Sequence, residues 1–234
     1  MERYDFHSHF LPKMDDGAKN SDMALEMLSD AVVQGVGVIA ATSHYYSNTR
    51  SISEYISARD ASYARVLKKL EEHRAPHPKM ILGAEVYITR GLSLRNDLEK
   101  LCYEGTKLIL LELPYGSWAS WVYREVEQII TNCALKVVLA HPERYIIMPW
   151  DRKKMIPFEQ MGVIYQLNAE DVLKRKRVIC SLLESNCPCV LGSDSHNMSE
   201  RRSKMKEAGE CLTRMYGKKM LLDMENFIKN NWGL

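Results

Sequence analysis

The chain has 234 residues, of which 46% are hydrophobic and 26% are charged, and its formal net charge is +2 at pH 7. This composition is ordinary for a soluble globular protein, and the length allows one full α/β barrel or two small domains. The near-neutral charge gives no reason to expect a nucleic-acid partner. The sequence contains no apolar run of about 18 residues that could span a membrane.

Short apolar runs alternate with longer helical patterns along the whole chain. We predict strands at Arg3–Phe6, Val36–Ala41, Met80–Tyr87, Leu108–Leu113, Val137–Ala140, Val163–Leu167 and Cys189–Gly192. We predict helices at Ser21–Gln34, Ser53–His73, Ser93–Tyr103, Ser120–Asn132, Glu170–Ser185, Arg201–Tyr216 and Lys219–Asn230. Seven β/α units without a Gly/Ser linker predict a single α/β domain over residues 1–234. We expect a closed or nearly closed parallel barrel, with an open doubly wound sheet as the alternative.

The first predicted strand ends in His7 and His9, which are separated by one residue. Side chains two positions apart on a strand share a face, so both imidazoles point into the same cavity. Asp15 and Asp16 follow, next to Gly17. Imidazole and carboxylate together are typical ligands of Zn, Mn or Fe, so this segment predicts a metal site. A His-rich strand end with capping carboxylates is the alternative.

Later strands end in residues of the same kind. They are His44, Glu85, Glu112, His141, Asp194 and His196. The C-terminal ends of parallel strands meet on one face of a barrel, where barrel enzymes carry their chemistry. Burying Glu85 or Glu112 in an apolar strand is costly without a counter-charge, which a cation supplies. Five histidines and at least four carboxylates predict two or three cations, which suits transfer of a phosphoryl group.

Two arginines follow predicted metal ligands. Arg144 lies three residues after His141, and Arg201 lies five residues after His196. Guanidinium groups bind phosphate oxygens in bidentate fashion, so both residues are candidates for holding the substrate, with a surface salt bridge as the alternative for each. The basic run Lys174–Arg177 is interpreted first as a solvated helix face, and a docking patch is the second interpretation.

The cysteines and the N-terminus bear on location. The six cysteines show no disulfide-type regularity, and the first residues contain no apolar signal-peptide core. Both observations favour a reducing cytoplasm. Oligomeric state is not predicted by any of these patterns.

Read in order, the motifs resemble those of the polymerase-and-histidinol-phosphatase (PHP) superfamily. Within it, the chain is most similar to the bacterial capsule-type tyrosine phosphatases of the CpsB/CapC/YwqE group. The shared motifs are His-Ser-His with Asp-Asp-Gly, Thr-x-His, Gly-x-Glu, Glu-x-Pro, His-Pro-Glu-Arg and Ser-Asp-x-His. They occur in that order across nearly the whole chain, so the combined signal is highly specific.

The resemblance implies a distorted TIM-like (β/α)7 PHP barrel with a trinuclear site, usually described with manganese; Fe, Zn or Co remain open. One metal would be held by His7, His9, Glu85 and Asp194. A second would be held by Glu85, Glu112 and His141. The third would be held by Asp16, His44 and His196. The resemblance selects Asp16 over Asp15, which the strand argument leaves open.

The resemblance also implies hydrolysis of phosphotyrosine in proteins by a metal-activated water. The residues expected to act in catalysis are Arg144, Arg201, His44 and Asp16. The expected partner is a bacterial tyrosine kinase with a Tyr-rich tail, in capsule or exopolysaccharide regulation. The alternatives are another PHP phosphoesterase, such as histidinol-phosphate phosphatase or a nuclease, and a non-catalytic metal-bound partner of a kinase.

One aromatic segment departs from the motifs. The residues Pro114–Trp121 include a tyrosine and two tryptophans. They would either form a wall against a phenyl ring or pack over the mouth of the barrel.

Overall fold

A computed structural model of the protein describes residues 3–116 and 118–232, and Ser117 of the aromatic segment lies outside the described residues. The strands in the described ranges are β1 (Arg3–Ser8), β2 (Val36–Ala41), β3 (His44–Tyr45), β4 (Lys79–Leu82), β5 (Glu85–Tyr87), β6 (Leu108–Glu112), β7 (Lys136–Ala140), β8 (Ile164–Asn168) and β9 (Cys189–Gly192). The α-helices are α1 (Ser21–Val33), α2 (Ile52–His73), α3 (Ser120–Thr131), α4 (Ile156–Gln160), α5 (Ala169–Lys174), α6 (Lys176–Leu183), α7 (Met205–Tyr216) and α8 (Lys218–Trp232).

The strands pair in parallel and form two sheets. One has the order β1-β2-β4 and the other has the order β3-β5-β6-β7-β8-β9. At the outer edge of β9, the Asp194 N–H donates to the His7 carbonyl at 2.7 Å, and the His9 N–H donates to the Ser195 carbonyl at 2.9 Å. The fold is therefore mixed α/β with parallel strands, as predicted.

The predicted single barrel sheet is not confirmed, because the extended chain is interrupted in two places, after β2 and after β4. Between β2 and β3 the Thr42 hydroxyl accepts the Ser8 N–H at 3.0 Å. Between β4 and β5 the chain passes through Gly83 and Ala84. Each interruption moves the chain from the first sheet to the second, so the strand predicted over Met80–Tyr87 is in fact β4 followed by β5.

The predicted helix over Ser93–Tyr103 is wrong. That segment contains two 3-10 turns, Leu92–Leu94 and Leu98–Leu101. The Glu125 carboxylate of α3 accepts the backbone N–H of Gly91 at 3.0 Å and of Ser93 at 2.6 Å. Because the Glu125 carboxylate binds these backbone N–H groups, the start of the segment is held against α3 and does not continue as a regular helix.

The predicted helix over Glu170–Ser185 is divided into α5 and α6 at Arg175. The backbone of Arg175 leaves the helical region, with φ −119°, and its guanidinium binds the carbonyls of Glu143 and Ile146. The predicted helix from Arg201 begins at Met205, as α7. Both changes place arginine side chains near the strand ends.

The inner core contains one set of inward-facing apolar side chains from the strands, closed by α8. Buried residues such as Phe6, Val138 and Val190 belong to it, together with Ile228 and Trp232 of α8. The Trp232 ring stacks on Phe6, with centroids 4.9 Å apart and planes 4° from parallel. The larger apolar cluster lies between the sheets and the surrounding helices. No helix among the described residues is long and apolar enough to cross a bilayer.

Candidate active site

The predicted metal ligands come together at the C-terminal ends of the strands. His7 lies in β1, His44 in β3, Glu85 in β5 and Glu112 at the end of β6. His9, Asp16, His141, Asp194 and His196 lie on the segments that follow strands. Because all strands are parallel, these segments lie at one end of the molecule.

Glu85 lies at the centre of the site and is fully buried. Its Oε2 is 3.1 Å from His7 Nε2, 3.3 Å from His9 Nε2 and 3.0 Å from His44 Nδ1. Its Oε1 is 2.8 Å from His141 Nε2. One carboxylate therefore faces four imidazoles, two from the strands β1 and β3 and two from segments that follow β1 and β7.

Two aspartates complete the cluster at different depths. Asp194 is buried, and its Oδ1 lies 3.4 Å from His9 Nε2 and 3.5 Å from His196 Nδ1. Asp16 is at the mouth, with a side chain that is 63% exposed, and its Oδ1 lies 3.3 Å from His196 Nε2 and 3.7 Å from His44 Nε2. The site thus extends from a dry floor to the solvent.

Within residues 3–116 and 118–232, three groups of side chains have ligand atoms within 4.8 Å of one another, which suits a metal ion. They are His9, Asp16, His44 and His196; His7, His9 and Glu85; and His44, Glu85 and Glu112. These groups overlap the three sets that the resemblance implies, with three differences. His9 joins the outer group, Asp194 is not part of the group of His7, His9 and Glu85, and His44 stands beside Glu112 where His141 was expected.

The donor atoms fit a divalent cation. Glu85 Oε2, Glu112 Oε2, His44 Nδ1 and His196 Nε2 are buried and have ion-pair neighbours within 4 Å, but none of them forms a hydrogen bond of normal geometry. A buried polar atom without a hydrogen bond costs about 1–3 kcal/mol, and more when it is charged. Several such atoms converging in one place are explained by a cation that they would share, and mixed imidazole and carboxylate donors suit Mn, Fe or Zn.

Backbone strain occurs at two of these positions. His141 has φ +35° and Asp194 has φ +50°, values that residues other than glycine seldom adopt. Each costs of the order of 1 kcal/mol and is retained where the surroundings impose it. His141 directly follows β7 and Asp194 lies two residues after β9, and the turn at each position directs the side chain into the site.

Three residues that the sequence analysis did not select hold the imidazoles and Asp194 in place. Asp15 Oδ2 lies 2.8 Å from His9 Nδ1 and accepts the His44 N–H at 2.8 Å. Gln166 Oε1 lies 2.8 Å from His7 Nδ1, and the Asn168 amide donates to Asp194 Oδ2 at 3.1 Å. Partners of this kind orient metal ligands. Gln166 and Asn168 could have been identified from the sequence, because they are polar residues at alternate positions of the otherwise apolar strand β8.

Gly17 explains why a glycine follows the two aspartates. A Cβ at this position would lie 2.1 Å from the His9 carbonyl oxygen. Its absence lets the loop fold back on His9, so that Asp15 and Asp16 reach different imidazoles. Asp16 contacts His196 and His44 at the cavity, whereas Asp15 contacts the Nδ1 side of His9.

Both candidate phosphate-binding arginines contact Asp194. Arg144 pairs with its Oδ2, and Arg201 Nη2 lies 3.1 and 3.2 Å from its two oxygens. Arg201 Nη1 also lies 3.2 Å from Asp16 Oδ2. The two guanidinium groups therefore border the same cavity as the imidazoles, and Arg144 Nε also lies 3.9 Å from Asp171 Oδ2 of α5.

The pKa values of two buried carboxylates of the site, Glu85 and Glu112, are shifted in opposite directions. Burial opposes ionisation of Glu85, but His7, His44 and His141 outweigh it and hold its pKa well below the usual value. Burial and then the charge of Glu85 raise the pKa of Glu112 to about 7. Burial and the charge of His9 lower the pKa of His196 to about 3. Without a metal, the cluster thus contains an ionised Glu85 beside a Glu112 that keeps its proton in mild acid.

The aromatic segment contains two tryptophans that pack against other side chains and one exposed tyrosine. Trp118 packs against Tyr145 and Phe158, with ring centroids 5.2 and 5.7 Å apart. Arg90 lies over the Trp121 ring at 4.8 Å. Tyr115 is 66% exposed, and its ring centroid is 5.8 Å from that of Tyr145. The tryptophans therefore pack, whereas Tyr115 is the ring left exposed near Arg144.

Comparison with known proteins places the chain among capsule proteins. Residues 3–232 match the family described as capsular polysaccharide synthesis, CpsB/CapC. The tyrosine-protein phosphatase CpsB of Streptococcus agalactiae is 26% identical, with 97% of this chain and 99% of that protein aligned. The tyrosine-protein phosphatase YwqE of Bacillus subtilis is 29% identical, with 92% of this chain and 86% of that protein aligned.

Solved structures agree. One match has a TM-score of 0.82 at 25% identity and covers 98% of this chain and 94% of the other. It is described as a structure of YwqE from Bacillus subtilis and CpsB from Streptococcus pneumoniae, unique metal-dependent tyrosine phosphatases. A phosphotriesterase homology protein from Escherichia coli, with a TM-score of 0.54 at 9% identity, shares the fold alone. With its family match over residues 3–232, this chain belongs to the CpsB/CapC family of capsular polysaccharide synthesis.

Proposed function

We propose that this protein is a metal-dependent protein tyrosine phosphatase that removes phosphate from tyrosine in polypeptides of capsule or exopolysaccharide synthesis. The observation that carries the proposal is the convergence of four imidazoles on the Glu85 carboxylate, bordered by two arginines. The family membership and the names of the relatives support the choice of phosphotyrosine.

We propose that the metals are bound by the sets that the motifs imply, with manganese as the first candidate and Fe, Zn or Co as alternatives. The proposed ligands are His7, His9, Asp16, His44, Glu85, Glu112, His141, Asp194 and His196. We further propose one PHP-type domain over residues 1–234, in which the hydrogen bonds between the β1 and β9 ends close a distorted (β/α)7 barrel. The free state of all six cysteines supports the cytoplasm as its location.

In this mechanism, bound divalent cations would lower the pKa of water and neutralise charge on the phosphoryl group. Arg144 and Arg201 bind the non-bridging phosphate oxygens, and stabilise the charge that develops on them. Gln166 and Asp15 keep His7 and His9 in the tautomers that turn Nε2 toward the cavity. The tyrosyl oxygen, with a pKa near ~10, is a good leaving group, so little help from a general acid is required.

The experiment compares three substrates with the Mn²⁺-loaded protein and after chelation. They are a phosphotyrosyl peptide, histidinol phosphate and a single-stranded oligonucleotide. We expect turnover of the peptide alone, and its loss on chelation with recovery when metal is returned. Preferred turnover of histidinol phosphate or the oligonucleotide would instead indicate another PHP phosphoesterase. A folded, metal-loaded protein that hydrolyses none of them would support a non-catalytic partner of a tyrosine kinase.

A further inference from the structure

The segment that follows Arg144 exposes large apolar side chains to solvent. Ile147 is 79% exposed, Met148 is 43% exposed and Trp150 is 64% exposed. Single exposed apolar residues are common, but neighbouring ones at a functional site mark a binding surface. These three residues lie within six positions of Arg144 in the chain.

A cavity of about 380 Å³ lies beside this segment, against α6. It is lined on one side by Ile146, Ile147, Met148 and Pro149, and on the other by Arg177, Val178 and Ser181, with Arg152 also part of its lining. We call it the side groove. Its apolar floor and its position beyond the phosphate-binding arginine distinguish it from the metal cluster.

The walls of the side groove are held in place by polar contacts. Asp151 Oδ2 accepts the backbone N–H groups of Ile147 at 3.1 Å and Met148 at 2.8 Å. Arg175 Nη2 donates to the Ile146 carbonyl at 2.6 Å, and Arg152 Nε donates to the Ser181 carbonyl at 3.2 Å. The groove is therefore preformed, which lowers the entropic cost of binding an extended chain.

The rim of the side groove carries uncompensated positive charge. The nearby carboxylates Asp151, Glu159 and Glu170 pair with Lys154, Arg152 and Lys174, at 2.8, 2.6 and 2.6 Å. Arg177 lines the groove, and Lys153 and Lys176 directly follow or precede the lining residues Arg152 and Arg177 in the chain. All three cations are exposed and form no salt bridge with any residue in the ranges 3–116 and 118–232. An acidic partner is therefore the one that the rim favours.

The groove is within reach of a substrate held by Arg144. Ile146 follows Arg144 by two positions and Ile147 by three, so Ile147 lies at most about 11 Å away along the chain. We propose that the side groove binds an acidic, partly apolar segment of the polypeptide next to the phosphotyrosine. This inference rests on the proposed function and adds the sequence context of the substrate to it.

The test uses two phosphotyrosyl peptides of equal length and free phosphotyrosine. One peptide carries glutamates and a leucine beside the phosphotyrosine, and the other carries lysines in place of the glutamates. For the full-length protein we expect a kcat/KM about tenfold higher for the acidic peptide, the size typical of a few exposed charge pairs. Arg177→Glu should reduce this preference about fivefold and leave turnover of phosphotyrosine unchanged. Ile147→Ala should lower kcat/KM for both peptides by the same factor.

The matched control is Arg65→Glu, because Arg65 is an exposed arginine of α2 and the charge change is identical. Equal peptide preference in Arg65→Glu and Arg177→Glu would overturn the side groove as a binding site. So would a native dimer, detected by sedimentation, that dissociates in Ile147→Asp while peptide kinetics stay the same, since a second copy would then occupy the groove. Anisotropy of fluorescein-labelled peptides measures binding without turnover, so a failure of catalysis counts against the proposed function alone.

Discussion

Asp15 Oδ2 lies 2.8 Å from Nδ1 of His9, and this contact determines which imidazole nitrogen faces the cavity. A carboxylate only accepts, so His9 carries its proton on Nδ1 and turns Nε2 toward Glu85. Asp15 would therefore act on a bound metal through His9, although it is not itself among the clustered ligands of the described residues.

Asp15→Asn is expected to weaken metal binding about 10- to 100-fold, the usual effect of removing such a partner. The amide no longer holds the imidazole by charge, and it leaves the His44 N–H with a weaker acceptor. Isothermal titration of Mn²⁺ into metal-free protein measures the change. Asp223→Asn, at an exposed position of α8, is the control. An unchanged Mn²⁺ affinity in Asp15→Asn would show that Asp15 stabilises the loop conformation and does not contribute to metal binding.

Glu112 predicts a pH dependence for the metal-free protein. Burial, and then the charge of Glu85, raise the pKa of Glu112 from 4.5 to about 7. Between these values the folded protein keeps a proton that the unfolded chain releases, so the free energy of unfolding falls as pH rises from about 4.5 to 7 and then levels off. The loss due to this group is of the order of 3 kcal/mol.

The measurement is urea unfolding of metal-free protein at pH 5 and pH 8. Glu112→Gln should remove most of that loss, so that the variant becomes more stable than the wild type at pH 8. Glu127→Gln, on the exposed side of α3, should follow the wild type. The same decline in all three proteins would place its cause at other groups.

We expect Arg144 and Arg201 to bind the substrate phosphate and not to be required for metal binding. Arg144 and Arg201 both contact Asp194 in the present structure, yet both are partly exposed to the cavity. Each Arg→Ala change should lower kcat/KM about 10²- to 10³-fold, as loss of a group that stabilises transition-state charge does. Metal content, measured by elemental analysis, should be unchanged. Loss of bound metal together with activity would mean that the arginines mainly hold Asp194.

Much of the site follows from sequence because strand ends are easily located. Buried parallel strands are apolar runs, and the polar residues that follow them must share one end of the sheet. His7, Glu85 and Asp194 were predicted on that basis, and they lie together in the structure. The argument needs only the strand period and direction, both of which are local properties of the chain.

The remaining features depend on contacts that the chain order does not contain. Gln166 reaches His7 from a strand that is 159 positions away. The Ser93–Tyr103 segment has helical spacing, but Glu125 captures its first N–H groups. The two interruptions that divide the strands between two sheets also arise from such contacts. Apart from the polar alternation of Gln166 and Asn168 in β8, these tertiary interactions leave no mark in the local hydrophobicity of the sequence.

The aromatic segment yields a prediction about the phenyl ring of the substrate. Tyr115 is exposed near Arg144, whose charge opposes the effect of burial on the pKa of Tyr115. Trp118 is part of the packing around Phe158, and its Nε1–H donates to the Pro114 carbonyl at 2.7 Å. Tyr115 and Trp118 are three positions apart in the sequence and have different surroundings, so they form a matched pair.

Tyr115→Ala should raise KM for a phosphotyrosyl peptide about fivefold, because one aromatic contact contributes about 1 kcal/mol, and leave stability within about 0.5 kcal/mol of the wild type. Trp118→Ala should instead lower the free energy of unfolding by about 2 kcal/mol, since it removes contacts with several rings. Comparing phosphotyrosyl peptide with an alkyl phosphate distinguishes ring recognition from phosphate binding. If Tyr115→Ala raised KM equally for both substrates, Tyr115 would act through Arg144 and not through the substrate ring.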